Sequence, residues 1–292
     1  MKRSRRSVAI SLFVALAVAS VFVVAIAGCS GSNDGASTSA LEGLDASQVK
    51  DDDLKTLNVG SDLYPPFVYT DEYGDIVGLD VEILTEALVR IGYKPKYQLI
   101  DWEKKKELVE NGTIDCIWGS FSMDGREEEY QWAGPYLYSR QVVAVRSDSD
   151  IRTLQDLTGK VVVVQSTTKP EELFLNAEQN GLPRLRRLYS LQNRDLLYTT
   201  LLKGYADALA AHESAIRQFM KDYSVEYRIL DEPLMTARLG VAFAKERGDD
   251  LPQQLTEVFQ EMLADGTVRQ IVSRYLDDPG HYLDGLEDST HA

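Results

Sequence analysis

The chain has 292 residues, 44% hydrophobic and 26% charged, with 31 basic against 46 acidic side chains and a formal net charge of -15. This composition excludes a disordered chain, a collagen-like repeat and a multi-span membrane protein, and two cysteines exclude a disulfide-stapled scaffold. A surface this acidic repels phosphate backbones, so nucleic acid is not an expected partner.

Lys2, Arg3, Arg5 and Arg6 open the chain, residues 8–27 carry no charge, and Ile26-Ala27-Gly28-Cys29 closes the apolar run. A basic head, an apolar stretch and a small-residue junction describe a secretory signal. The same stretch is long enough for one retained membrane span. Ile-Ala-Gly-Cys resembles the bacterial lipobox, which implies a lipoprotein signal peptide over 1–28 and acylation of Cys29. More than one acyl chain makes such anchoring stable. Residues 29–55 are rich in Ser and Gly and read as a flexible tether. Its Asp51-Asp52-Asp53 lacks the spaced ligands and glycine of a calcium loop.

From Leu57 the pattern alternates. Residues 57–60 predict a strand, Tyr64-Pro65-Pro66-Phe67 a loop, and 68–79 a hairpin around Gly74. Apolar residues at Ile83, Leu84, Ala87, Leu88 and Ile91 predict a helix over 80–91 that stops at Gly92. A strand near 96–100, a helix over 102–110 and a strand over 113–118 follow, the last containing Cys116 as a small buried residue. Residues 161–164 are four valines, a fully buried strand pattern. Pro170 marks a helix start with Thr167 or Thr168 as its cap. Helices over 194–203, 213–223, 249–264 and 267–276 and strands over 206–211 and 239–244 complete an α/β layer pattern.

Several chemistries are missing from the sequence. There is no dinucleotide or phosphate-loop glycine motif and no serine-hydrolase elbow. His212, His281 and His291 are the whole histidine complement, too few for a histidine-rich zinc site, and no cofactor is expected. Arg126 stands out, because Glu127-Glu128-Glu129 behind it reads as a first helical turn, where a cation opposes the helix dipole. It is either a surface arginine paired with those glutamates or a fork for a ligand carboxylate. Ser120 and Ser122 follow a strand, as do Tyr64 and Trp102, where α/β ligand sites form. The Gln165-Ser166-Thr167-Thr168-Lys169 segment either caps its helix or offers N–H groups to an anion.

Together these pieces resemble the extracellular solute-binding proteins of family 3, the periplasmic-type amino-acid-binding proteins of ABC importers. The resemblance covers about 57–275. It is carried by Tyr64-Pro65-Pro66-Phe67, Gly78-Leu79-Asp80-Val81-Glu82, Gly112-Thr113-Ile114-Asp115, Arg126, Gly134-Pro135-Tyr136, Asp156-Leu157-Thr158-Gly159-Lys160 and Gly204-Tyr205-Ala206-Asp207-Ala208. It implies the type II periplasmic-binding fold, two α/β lobes joined by two crossover strands near 142–146 and 235–241. Lobe 1 would comprise 56–142 and 240–280, lobe 2 146–236, and a C-terminal tail 281–292.

Residue by residue, the resemblance makes Asp62 the acid after the first strand and Tyr64 and Trp102 the aromatic walls. Ser120 and Ser122 would touch the ligand backbone, Arg126 would grip its α-carboxylate, and Thr167 and Thr168 would reach in from lobe 2. The family's usual ammonium-binding aspartate is replaced by His212, with Glu213 one step beyond. Either Glu213 substitutes or the ligand lacks a free α-amino group.

The implied function is capture of an amino acid or related carboxylate, without catalysis, and delivery to an ABC permease. The protein would be a monomer held at the outer face of the cell membrane through its lipid. The alternatives are a ligand-sensing lipoprotein and a cyclohexadienyl-type dehydratase using Glu213 or His212 as acid.

Overall fold

The computed structural model describes residues 54–286, so the expected leader, Cys29 and most of the tether lie outside the described residues, as do 287–292. β1 (Lys55–Ser61) leads through a small hairpin, β2 (Tyr69–Thr70) and β3 (Ile76–Val77), into α1 (Leu79–Arg90) and β4 (Tyr93–Leu99). β1 and β4 are parallel, so the chain must cross over, and α1 makes the crossing. The helix buries Ile83, Leu84, Ala87 and Leu88, the face that the apolar spacing marks. A 3-10 turn over Trp102–Lys104 runs into α2 (Lys105–Glu110). β5 (Cys116–Ile117) is shorter than the expected strand because the Asn111 side chain accepts from both the N–H and the hydroxyl of Thr113, holding a turn there.

Residues 127–129 form no helix. Arg126 N–H donates to the Met123 carbonyl and Glu129 N–H to that of Arg126, a pair of turns, and β6 (Gln131–Arg146) begins at once. The dipole argument for Arg126 therefore does not hold.

β7 (Val161–Gln165), α3 (Lys169–Leu175), β8 (Arg187–Leu191), α4 (Asp195–Leu202), β9 (Ala208–His212), α5 (Glu213–Tyr223) and β10 (Tyr227–Ile229) make the second lobe. The chain returns through β11 (Met235–Phe243) and ends in α6 (Leu251–Ala264), α7 (Thr267–Tyr275) and α8 (Gly280–Leu283). A nine-stranded sheet runs β4-β1-β5-β11-β6-β9-β7-β8, with β10 also on β6.

β6 belongs to both lobes. Its first half pairs with β11, and residues from Gln141 onward pair with β9 and β10. The cores follow the same division. One gathers α1, α6 and α7 over β1 and β11, with a satellite around Trp102, Phe121 and Tyr130. In the other lobe the period-2 alternation of strands separates two clusters, Val161 and Val163 on one face of the sheet and Val162 and Val164 on the other. The fold is thus α/β and two-lobed, with β6 and β11 crossing between the lobes.

The expected tail starts too early at 281. Tyr282, Leu283 and Leu286 are buried in the first core, because α8 lays an apolar face on it. Phe259, fully buried, lies 5.7 Å from the Trp118 ring and 5.6 Å from that of Tyr136. Phe259→Ala should cost about 3–5 kcal/mol of stability, read from urea unfolding followed by tryptophan fluorescence.

Candidate ligand-binding cleft

A cavity lies where strand ends of the two lobes meet. Tyr64 follows β1, Ser120 and Ser122 follow β5, Thr167 and Thr168 follow β7, and His212 ends β9; all line it, with Trp102 and Arg126. Asp62 and Glu213 do not. Two backbone bends aim the loops: Ser120 at φ 44 and Thr167 at φ 56, both left-handed. Such bends cost energy in non-glycine residues and persist where the surroundings over-determine them.

Arg126 has 11% of its side chain exposed. It donates to the Ser122 carbonyl at 3.2 Å and lies 5.2 Å from the centre of the Phe121 ring. None of the three glutamates behind it is its partner: Glu127 pairs with Arg238, Glu128 with Lys245 and Glu129 with Lys106. Its carboxylate neighbour is Glu172 of the other lobe, at 3.7 Å, and Glu172 also takes Lys169 at 2.5 Å. The guanidinium therefore keeps donors to spare at the cavity wall.

The loop after β7 is already engaged with its own chain. Thr167 N–H donates to Glu171 at 2.6 Å and the Thr168 hydroxyl to the Gln165 carbonyl at 2.6 Å. Lys105, from lobe 1, donates to the Thr167 hydroxyl at 2.8 Å. Burial, and then the charge of Arg126, lower the Lys105 pKa to about 8. Glu103 accepts from Ser166 at 2.7 Å and from the Gln192 amide, so lobe 1 and lobe 2 also meet at the rim.

His212 is neutral. Burial, and then the charge of Arg194, lower its pKa to about 3. Nδ1 has Ser139 Oγ at 2.8 Å and Nε2 has the Gln141 amide at 2.8 Å. Glu213 is no substitute for an aspartate here. It opens α5 and points the other way, to Arg140 at 3.1 Å and to Arg217, one helical turn on, at 2.6 Å. Nor is it placed as a cleft acid. Asp62 is likewise taken, by Arg194 at 2.7 Å and Gln165 at 2.9 Å, and the face of Tyr64 is covered by the same arginine.

Sequence reading missed Gln141 and Arg194 and took Gln165 and Lys169 only as part of the 165–169 segment, for its backbone N–H groups; all four line the cavity. Three buried oxygens on lining residues have no partner: Ser120 Oγ, Gln141 Oε1 and Gln165 Oε1. Trp102 Nε1 is in the same position as a donor. Unpaired buried polar atoms are costly, so these groups are poised for a bound molecule that is itself polar.

Two lobes around a polar, cation-walled cleft define a protein that captures small molecules between its lobes. The family model of the bacterial extracellular solute-binding proteins, family 3, matches residues 57–278, and the chain belongs to that family. The histidine-binding periplasmic protein of Escherichia coli K12 is 30% identical over 240 residues, 76% of this chain and 88% of its own. The L-cystine-binding protein TcyA of Bacillus subtilis is 26% identical over 267 residues, covering 87% and 93%. Among solved structures, that of Tv2483 bound to L-arginine superposes with a TM-score of 0.69 at 27% identity, covering 77% of this chain and 91% of its own.

Beneath the cleft, Asp80 is fully buried in the first turn of α1 and accepts from Ser120 N–H at 2.6 Å. Burial raises its pKa to about 7. Between about pH 4 and 7 the folded protein then holds a proton that the unfolded chain has lost, so this group makes stability fall as pH rises. His212 has the opposite sign: stability is lost as pH falls from about 6.5 towards 3. Asp80→Asn keeps an acceptor for Ser120 and leaves the His212 contribution unchanged. The melting temperature of the variant minus that of the wild type should therefore rise from pH 4.5 to 7.5, measured by thermal unfolding across that range.

Proposed function

We propose that this chain is a lipid-anchored, extracytoplasmic solute-binding protein that closes on an amino acid or a related small carboxylate and hands it to an ABC transporter. One observation carries the reading: Arg126 stands in the cavity wall, largely buried, with its own glutamates paired elsewhere. A guanidinium fork fits a carboxylate with two parallel hydrogen bonds. Ser120 Oγ, Gln141 Oε1 and Gln165 Oε1 supply neutral acceptors for an α-nitrogen, in place of the missing aspartate. Tyr64, Trp102, Ser122, Thr167, Thr168 and His212 shape the remaining wall, whereas Asp62 and Glu213 act behind it. Histidine and cystine, the ligands for which two relatives are named, support the amino-acid class.

Binding without catalysis fits the same geometry. His212 is neutral and Glu213 is turned away, so the cleft presents no carboxylic acid to drive an elimination. The lipobox-like Ile26-Ala27-Gly28-Cys29 supports anchoring at the outer face of the cell membrane, as a monomer on a tether.

The test is a thermal-shift and calorimetric screen of the full chain in detergent against the amino acids and their des-amino analogues. A ligand at about 1,000 times its Kd adds about 4.1 kcal/mol of stability. For the ligand so found, Arg126→Ala should raise Kd at least about thirtyfold, and Arg126→Lys should rescue only part of it. Unchanged affinity in Arg126→Ala would reject the clamp. Separately, Cys29→Ser should shift the protein from the membrane to the soluble fraction and abolish palmitate labelling.

A further inference from the structure

Asp62 and Tyr64 together make a complete site for a cation. The Asp62 carboxylate accepts from a guanidinium at 2.7 Å and from the Gln165 amide at 2.9 Å, and the guanidinium carbon lies 3.2 Å from the centre of the Tyr64 ring. Carboxylate and aromatic face are the two partners that recognise a guanidinium. The cation that fills the site is the chain's own Arg194, reaching across the cleft from the start of α4. With 10% of its side chain exposed it is as deep as Arg126. A positive charge at a helix N-terminus opposes the helix dipole, so α4 gains nothing from this arginine; its contacts are with Asp62 and Tyr64.

The charges around the cavity agree. Arg126, Lys169 and Arg194 line it, and no carboxylate does. Behind them Glu172 serves both Arg126 and Lys169, and Asp62 serves Arg194. Of these lining charges one positive is left over, and Lys105, bonded to the Trp102 carbonyl and to Thr167, adds another beside Arg126, so the cleft favours a ligand carboxylate. A cationic ligand side chain would meet a neutral His212, an Asp62 off the cavity lining whose Oδ2 already holds Arg194 and Gln165 and whose Oδ1 alone is free, and a Glu213 turned towards Arg140 and Arg217.

We propose that Arg194 is the specificity-determining residue of the cleft: it occupies the Asp62–Tyr64 cation site itself, so the cleft takes carboxylates with uncharged side chains and rejects cationic ones. This rests on the amino-acid-binding reading above. Removing the arginine should turn the cleft into a receptor for a guanidinium.

The experiment compares wild type, Arg194→Ala and the double variant Asp62→Asn/Arg194→Ala, as full chains in detergent, by calorimetry and thermal shift. The probes are L-arginine, L-lysine and methylguanidinium, the last lacking any carboxylate for Arg126. Arg194→Ala should bind L-arginine at least tenfold more tightly than the wild type does, and millimolar methylguanidinium should stabilise it. Neither the wild type nor the double variant should respond to methylguanidinium. Wild-type binding of L-arginine as tight as that of Arg194→Ala overturns the proposal, and so does a folded Arg194→Ala that responds to neither probe. A response to methylguanidinium without one to L-arginine upholds the cation site and counts instead against Arg126 as the carboxylate clamp. Should Arg194→Ala not fold, Arg194→Ser leaves a hydroxyl to donate to Asp62, and the wild type's response to L-arginine decides the matter in either case.

Discussion

From Met235 opposite Gln141 to Phe243 opposite Gln131, β6 and β11 pair antiparallel, and both lobes are built outward from that ladder. The register shifts between Leu239 and Val241, at Gly240. A Cβ there would lie 2.8 Å from both the Ala133 carbonyl and Met123 Sδ, so the bulge needs glycine. The same strand carries the ligand loop. Gly240 N–H donates to the Phe121 carbonyl at 3.1 Å, Met123 N–H to that of Arg238 at 2.9 Å, and Arg238 N–H to Asp124 at 2.7 Å. Ser120, Ser122 and Arg126 are therefore tied to the strand that joins the lobes.

Against that frame the lobes meet through side chains. Arg194 reaches Asp62, Lys105 reaches Thr167, Ser166 reaches Glu103, and His212 N–H donates to the Tyr64 hydroxyl at 3.1 Å. Each contact joins residues far apart in the chain, and each lies at the cavity or on its rim. Closing the cleft removes water, and electrostatic interactions inside strengthen as it leaves. The positive charge left unmatched around Arg126 and Lys105 then becomes selective: in bulk water it would be screened, but here a carboxylate neutralises it directly.

Much of this was legible in the sequence. The expected helix 213–223 coincides with α5, and the two terminal helices agree to within a residue or two, with Gly266 between them at φ 80. The first half of β6 has no counterpart among the expected strands, and Gly134 and Pro135 interrupt its ladder. Residues 134–136 face the Gly240 bulge, where the register gives the proline no ladder partner. At the site, Arg126 was found by a signal that was wrong for it, a cation at a helix start. That signal holds for Arg194, just before α4, and for Lys169, the first residue of α3. Arg194 still escaped notice, since its partners Asp62 and Tyr64 lie in the other lobe and no local pattern encodes them. Glu213 escaped in the opposite sense: the strand ends at His212, and as the first residue of α5 Glu213 turns to Arg217 one helical turn on and to Arg140.

The Asp62–Arg194 pair is better explained by selection than by stability. Burying two charges carries a desolvation cost that their attraction often only matches, and well-packed apolar residues frequently replace such pairs without loss. As an internal ligand, the pair does something an apolar pair could not. It rejects a cation by charge as well as by shape, which is how a binding site discriminates against a competitor. It also spans the lobes, so it favours the closed state with no ligand present. A ligand then has less of the closing free energy to supply, and its own contacts with Arg126 and the neutral acceptors translate more fully into affinity. One arginine thus biases the cleft towards closure while excluding the ligands that would compete for its place.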